Sequence, residues 1–212
     1  MLGIHIPANS RRWCFAACLT VLAGLPIRLP AASFPGKARV EVQDPSGGLS
    51  WSNSISALTV ECWFKISIPS GTSISDHMTI LVNRRTGTEN DPSAYWIRFN
   101  PWSGNVECVT RGSSIGYTNT LIQRPYLDRW YHVAVVRSAD NFTGYADGRQ
   151  AFSETISPGV GNSANTEGLS IGGWASGKYL YGEVQEVAIY QSALSQEFIT
   201  QSRRQGDREC KK

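Results

Sequence analysis

Charged side chains are scarce in this sequence: Asp, Glu, Lys and Arg make up only 17% of 212 residues. Set beside 41% apolar residues, 20 Gly, 10 Pro, seven Trp, eight Tyr and seven Phe, that scarcity fits an all-β globular domain better than a helical bundle. Basic excess is lacking too. The formal net charge is +3, and the one basic block is the short tail Arg203–Lys212. A nucleic-acid binder turns a basic face to phosphates, and this chain has no such face to offer. Histidine is rarer still. Only His77 and His132 lie beyond the amino-terminal segment, and two ligands are too few for a zinc site. There is no internal repeat and no low-complexity tract. The chain is long enough for one domain with a real core.

Residues 1–32 read as a secretory signal peptide. Arg11-Arg12 form a positive start, Trp13–Leu25 is an apolar run too short to span a bilayer, and Leu29-Pro30-Ala31-Ala32 supplies small residues for cleavage. A retained anchor is the alternative. The expected organisation is a signal peptide at 1–32, one domain at 33–200 and a basic tail at 201–212. The product would be secreted, or held in the periplasm or at the cell surface, with no membrane contact after cleavage. Cleavage removes Arg11, Arg12 and Arg28 and no acid, so Lys+Arg falls from 20 to 17 against 17 Asp+Glu. It also leaves three cysteines, Cys62, Cys108 and Cys210. An oxidising compartment permits a disulfide. Cys62 and Cys108 both fall at inward strand positions, so a Cys62–Cys108 bond and two buried free thiols are both open.

Trp130–Gln150 is the stretch that organises the rest. Trp130–Arg137 is a β-branched and aromatic strand with both faces apolar, Val133/Val135 on one and Ala134/Val136 on the other, which predicts a central position covered on both sides. Phe142–Ala146 returns, and Asp147-Gly148 is a type I′ turn signal. Leu58–Ile68 alternates most cleanly. Leu58, Val60, Cys62, Phe64, Ile66 and Ile68 share one face; Thr59, Glu61, Trp63, Lys65 and Ser67 share the other. That pattern predicts a half-buried strand. Further strands are expected at Ala38–Val42, Met78–Asn83, Ala94–Asn100, Asn105–Arg111, Leu169–Trp174 and Glu183–Tyr190. The phase of Val184 against Val187 and Ile189 predicts a bulge near Gln185. Gly112–Asn119 and Ser157–Gly168 read as loops. Ser195 can cap a single short helix, Gln196–Arg203.

Three stretches carry a resemblance. Leu58-Thr59-Val60-Glu61-Cys62-Trp63-Phe64-Lys65, the hairpin from Trp130 to Gly148, and Gly182–Ser195 with Glu186-Val187-Ala188-Ile189-Tyr190 occur in that order. In this the chain resembles the laminin G-like, concanavalin A-like jelly-roll family in its bacterial secreted form. Val184-Gln185-Glu186 stands where that family often has Ile-Asp-Glu, so no role of that aspartate carries over. The resemblance implies an antiparallel two-sheet β-sandwich with one short carboxy-terminal helix. The fold hosts lectins, adhesion modules, hydrolases and spacers, so function must come from the site.

Catalytic signals are thin. Gly112–Gly116 matches G-x-S-x-G, but no helix follows, as a nucleophile elbow requires. Glu183 and Glu186 invite comparison with jelly-roll glycosidases. A spacing of three puts them on opposite strand faces unless the bulge intervenes, and a retaining pair needs its carboxyl groups about 5–5.5 Å apart. No cofactor is expected. Asp76, Asp91, Asp128, Asp140 and Asp147 border turns, yet none sits in a dense calcium loop. His132, in the central strand, reads as structural. Aromatics remain. Trp96 and Arg98 project together, opposite Tyr95, Ile97 and Phe99. Trp102 sits on a hairpin tip, Tyr117 in a Ser/Gly loop, and Trp174 and Tyr179 flank a Gly-Lys loop. These six are the expected ligand-binding residues, because sugar rings stack on exposed aromatics. The chain is expected to be a non-catalytic module for a polysaccharide or glycoconjugate. The alternatives are an adhesion module for another extracellular protein and a jelly-roll glycoside hydrolase.

Overall fold

The computed structural model describes residues 4–5, 32–44, 49, 57–84, 93–112, 115–157, 160, 168–174 and 178–209. Several expectations fall outside them: the rest of the leader, the turn after Asp44, Asp91 and the loop around it, Ser113 and Ser114 of the G-x-S-x-G match, most of the Ser157–Gly168 loop, and Cys210.

Period-two alternation is realised as two antiparallel sheets. The strands are β1 Ile4–His5, β2 Ala32–Pro35, β3 Val40–Val42, β4 Ala57–Ile66, β5 Met78–Arg84, β6 Ser93–Asn100, β7 Asn105–Arg111, β8 Gly116–Ile122, β9 Trp130–Ser138, β10 Asn141–Ala146, β11 Arg149–Thr155, β12 Leu169–Ile171 and β13 Tyr181–Tyr190; one helix, α1 Gln196–Glu209, follows. One sheet has seven strands, β1-β3-β12-β5-β6-β7-β8. The other has six, β11-β10-β9-β4-β13-β2. This is the expected jelly-roll sandwich. Strand β1 lies inside the segment read as a leader and pairs with Val42 and Glu41; its removal would leave β3 at the sheet edge.

The core lies between the sheets. Leu58, Val60, Cys62, Phe64 and Ile66 enter it from β4, Val133 and Val135 from β9, and Tyr95, Ile97, Val106 and Cys108 from the facing sheet. Each such aliphatic or aromatic side chain contributes roughly 1.5–3 kcal/mol by leaving water. Cys62 and Cys108 are both buried free thiols. Face-to-face sheets lie about 10 Å apart, a span that a disulfide bridges only where they are drawn together. Burial pushes both thiols up, that of Cys108 to about 12. The disulfide alternative is therefore not the one found.

Strand β9 is central, between β10 and β4, as its two apolar faces require. Its second face meets α1: Ala134, Val136 and Tyr145 pack with Ile199 and Leu194. The turn at Asp147-Gly148 has φ of 49° and 77°, the positive pair that a type I′ turn needs.

Four local expectations change. Strand β4 is buried on both faces rather than one, because α1 lies over Glu61 and Trp63. The helix runs to Glu209 instead of ending at Arg203. The tail is thus partly a docked helix, with Ser202 Oγ donating to Glu61 Oε1 at 2.6 Å. Gly116–Ile122, which overlaps the expected loop Gly112–Asn119, is strand β8, paired with β7 from Arg111↔Gly116 to Val106↔Ile122. Strand β12 also stops at Ile171, where Gly172 turns with φ of 73°.

Candidate ligand-binding face

The two sheets turn different surfaces outward. On the six-stranded sheet the outward face of β4, β9 and β13 lies beneath α1. Glu61 is its centre. Its Oε1 accepts from Tyr190 Oη at 3.1 Å and from Ser202 Oγ, and its Oε2 faces His132 Nε2 at 3.4 Å. Burial acts to raise the Glu61 carboxyl, but the hydrogen bonds and charge of His132 and the bonds from Ser202 and Tyr190 outweigh it and hold the group below its ordinary value. His132 is thus the structural histidine expected. The bulge expected near Gln185 is present as a register shift between Gln185 and Ala188, and Glu186 takes φ of 50°. It brings Glu183 and Glu186 to the same face after all. Glu183 pairs with Lys65 at 2.8 Å. Glu186 lies against α1: a Cβ on Gly206 would come within 2.7 Å of its Oε2 and 2.2 Å of Trp63 Nε1.

On the seven-stranded sheet, alternation in β6 sends Trp96, Arg98 and Asn100 outward. Trp96 is only 1% exposed. It packs with Val82 and Val109, with Trp174 against them, and its Nε1 donates to Thr79 Oγ1 at 3.1 Å. Trp174 meets Trp96 edge-on with ring centroids 5.5 Å apart. Arg98 lies over the Trp96 ring at 4.4 Å and pairs with Glu107 at 3.3 Å. Trp102, at the tip of the β6–β7 hairpin, is 68% exposed. Its ring meets His77 edge-on at 4.8 Å, and His77 in turn meets Trp96 at 5.5 Å.

The tip is braced from beneath. Asn100 Oδ1 accepts from the backbone of Trp102 and Ser103, and Gly104 N donates to Asn100 O at 2.8 Å. Glu107 Oε1 accepts from Asn100 Nδ2 and Ser103 Oγ. Beside His77, Asp76 accepts from its backbone N–H and pairs with Lys178. Burial acts to raise the Asp76 carboxyl; Lys178 and the His77 backbone overcome it and hold it low.

Of the six residues expected at a ligand site, Trp96, Arg98, Trp102 and Trp174 come together. Trp96 forms the floor and not the binding surface. Tyr179 follows nearby, its ring lying over Gly173. Tyr117 does not join them. It sits in β8, packs on the main core, and its hydroxyl bonds Ser157. His77 was missed; its only signal in the sequence was a place beside Asp76 at the start of a strand. Among the described residues no group of three or more His, Cys, Asp or Glu converges as a metal site.

No curated protein matches the chain. Among solved structures, the receptor binding domain of botulinum neurotoxin D superposes with a TM-score of 0.66 at 14% identity, over 97% of this chain and 48% of that one. The serotype D ligand binding domain in complex with N-acetylneuraminic acid gives 0.64 at 14% identity, over 96% and 46%. Domain 4 of AbnA, an extracellular arabinanase from Geobacillus stearothermophilus, in complex with arabinotriose, gives 0.61 at 22% identity, over 84% and 81%. The chain spans less than half the length of these toxin domains, and at such identities the likeness is one of fold. The model of the concanavalin A-like lectin/glucanases superfamily matches residues 36–200. With that match over most of its length and a two-sheet jelly roll to bear it, the chain belongs to the concanavalin A-like lectin/glucanases superfamily.

Proposed function

We propose that this protein is a secreted, non-catalytic module that binds carbohydrate on the outward face of its seven-stranded sheet, with Trp102 as the contact. The observation that carries the reading is the state of Trp102. A large aromatic ring stands in solvent on a tip where Asn100 Oδ1 accepts from the backbone N–H groups of Trp102 and Ser103 and Asn100 Nδ2 donates to Glu107. The ring stands out from the Trp96–His77 cluster and offers a flat apolar face for stacking. A ring so held loses little freedom when a ligand stacks on it. Two structures of the same fold hold arabinotriose and N-acetylneuraminic acid, which supports a sugar as the class of ligand.

The glycosidase reading is disfavoured by the opposite face. Glu183 and Glu186 now share a side, but Lys65 holds the first and α1 covers the second. The test is a glycan array probed with the whole chain, together with an assay for reducing sugar released from β-glucans and arabinan. We expect bound glycan and no release. Release that is lost in Glu186→Gln would reverse the reading.

A further inference from the structure

Among the described residues, the charged groups behind Trp102, around the Trp96–His77 cluster, come in opposite pairs. Arg98 pairs with Glu107 at 3.3 Å and Lys178 with Asp76. Hydrogen-bonding capacity at the tip is also spent within the protein. Glu107 Oε1 holds Asn100 Nδ2 at 3.0 Å and Ser103 Oγ at 3.1 Å, while Asn100 Oδ1 holds two backbone N–H groups. The geometry points to a neutral saccharide as the ligand of the Trp102 face, held mainly by ring stacking, with sialic and uronic acid units discriminated against. This rests on the carbohydrate-binding reading of that face.

An anionic sugar is recognised by an arginine or lysine free to fork onto its carboxylate. Arg98 could turn to one only by lifting off the Trp96 ring and leaving buried Glu107 without its cation. Lys178 could do so only by releasing Asp76. A buried charge stripped of its partner is costly. The incoming carboxylate would meet those two acids as well. A neutral ring needs none of these rearrangements, since its C–H face lies on the indole while the pairs stay closed. Arg124 stands apart: its side chain runs past Gly104, and its backbone N–H donates to Asn105 Oδ1 at 3.3 Å. It belongs to the β8–β9 loop and not to the Trp96–His77 cluster, so it serves as a control.

The experiment is calorimetric titration of the whole chain with neutral polymers (arabinan, xylan, galactomannan) and acidic ligands (polygalacturonate, sialyllactose), in low and high salt. At least one neutral polymer should bind. Its affinity should change less than about twofold with salt, because no exposed ion pair is formed with it. Trp102→Ala should weaken it at least roughly tenfold, the loss expected of one stacked ring, and Arg124→Gln should leave it unchanged. Binding confined to the acidic ligands, weakened by salt or by Arg124→Gln, would overturn the neutral-sugar inference and leave carbohydrate binding standing. Neutral binding untouched by Trp102→Ala would overturn the role given to the indole. If no saccharide of either kind binds, both readings fall together.

Discussion

The outward faces of the two sheets are built from similar residues and put to opposite ends. Each has a tryptophan, a histidine and a carboxylate in contact. On the six-stranded sheet Trp63, His132 and Glu61 are all buried, because α1 lies over them and adds Ser202 to the carboxylate. On the seven-stranded sheet Trp96, His77 and Glu107 are buried as well, but Trp102 stands in solvent against His77. The difference is the cover. Where the chain supplies its own helix, the polar groups are turned into a tether for that helix. Where the described residues supply none, the same kinds of side chain are paired with one another and leave one aromatic surface open. Residue type alone therefore does not separate a latch from a binding face; what lies above it does.

The comparison can be broken at several points. Trp96→Ala should have the largest effect, about 3–5 kcal/mol by chemical denaturation, as for other buried aromatic truncations. A small loss would mean that the cluster is a surface and not a floor. Glu61→Ala should cost about 3 kcal/mol, since it leaves His132, Tyr190 and Ser202 facing an empty site. Hydrogen exchange should then quicken first in the amides of α1; uniform quickening would deny that Glu61 acts as the tether. Gly206→Ala sets a Cβ into Trp63 and Glu186. It should loosen α1 by about 1–2 kcal/mol through overpacking, despite the better helix former.

Acid sharpens the same contrast. Glu61 is held below its ordinary value of 4.5. Its contribution is therefore fully present above that pH and is lost as pH falls through the lower folded value. Melting followed from neutral to about pH 3 should show α1 released early, and Glu61→Gln should flatten that dependence. An unchanged profile in the variant would remove Glu61 from the account.

Much of the fold was legible in the residues. Alternation in Leu58–Ile68 marks an inward face, and the two apolar faces of Val133–Val136 mark a strand covered on both sides. The bulge near Gln185 was legible from a phase slip of one residue. What hid was decided by distant chain. Strand β8 escaped notice because Gly112–Gly116 looks like loop, although Tyr117 and Leu121 do point inward. The polar face of β4 looked solvated because nothing in Glu61 or Trp63 announces a helix arriving from residues 196–209. That helix looked short because Arg203, Arg204 and Gly206 resemble a tail; Gly206 is needed for close approach to Trp63. Trp96 and Trp102 read alike as surface in the sequence, yet one is floor and one is exposed. His77 carries no local signal because its partners lie 19 and 25 positions away, at Trp96 and Trp102.

Trp102 bears most directly on the central claim, that the seven-stranded face is left open for a ligand. The measurement is the melting temperature and the glycan affinity of Trp102→Ala, taken side by side with the unaltered chain. A residue so exposed should change stability by no more than about 0.5 kcal/mol, so melting should stay within roughly 2 °C while glycan binding weakens at least about tenfold. A fall in melting temperature as large as that of Trp96→Ala, or glycan binding that survives intact, would contradict the account.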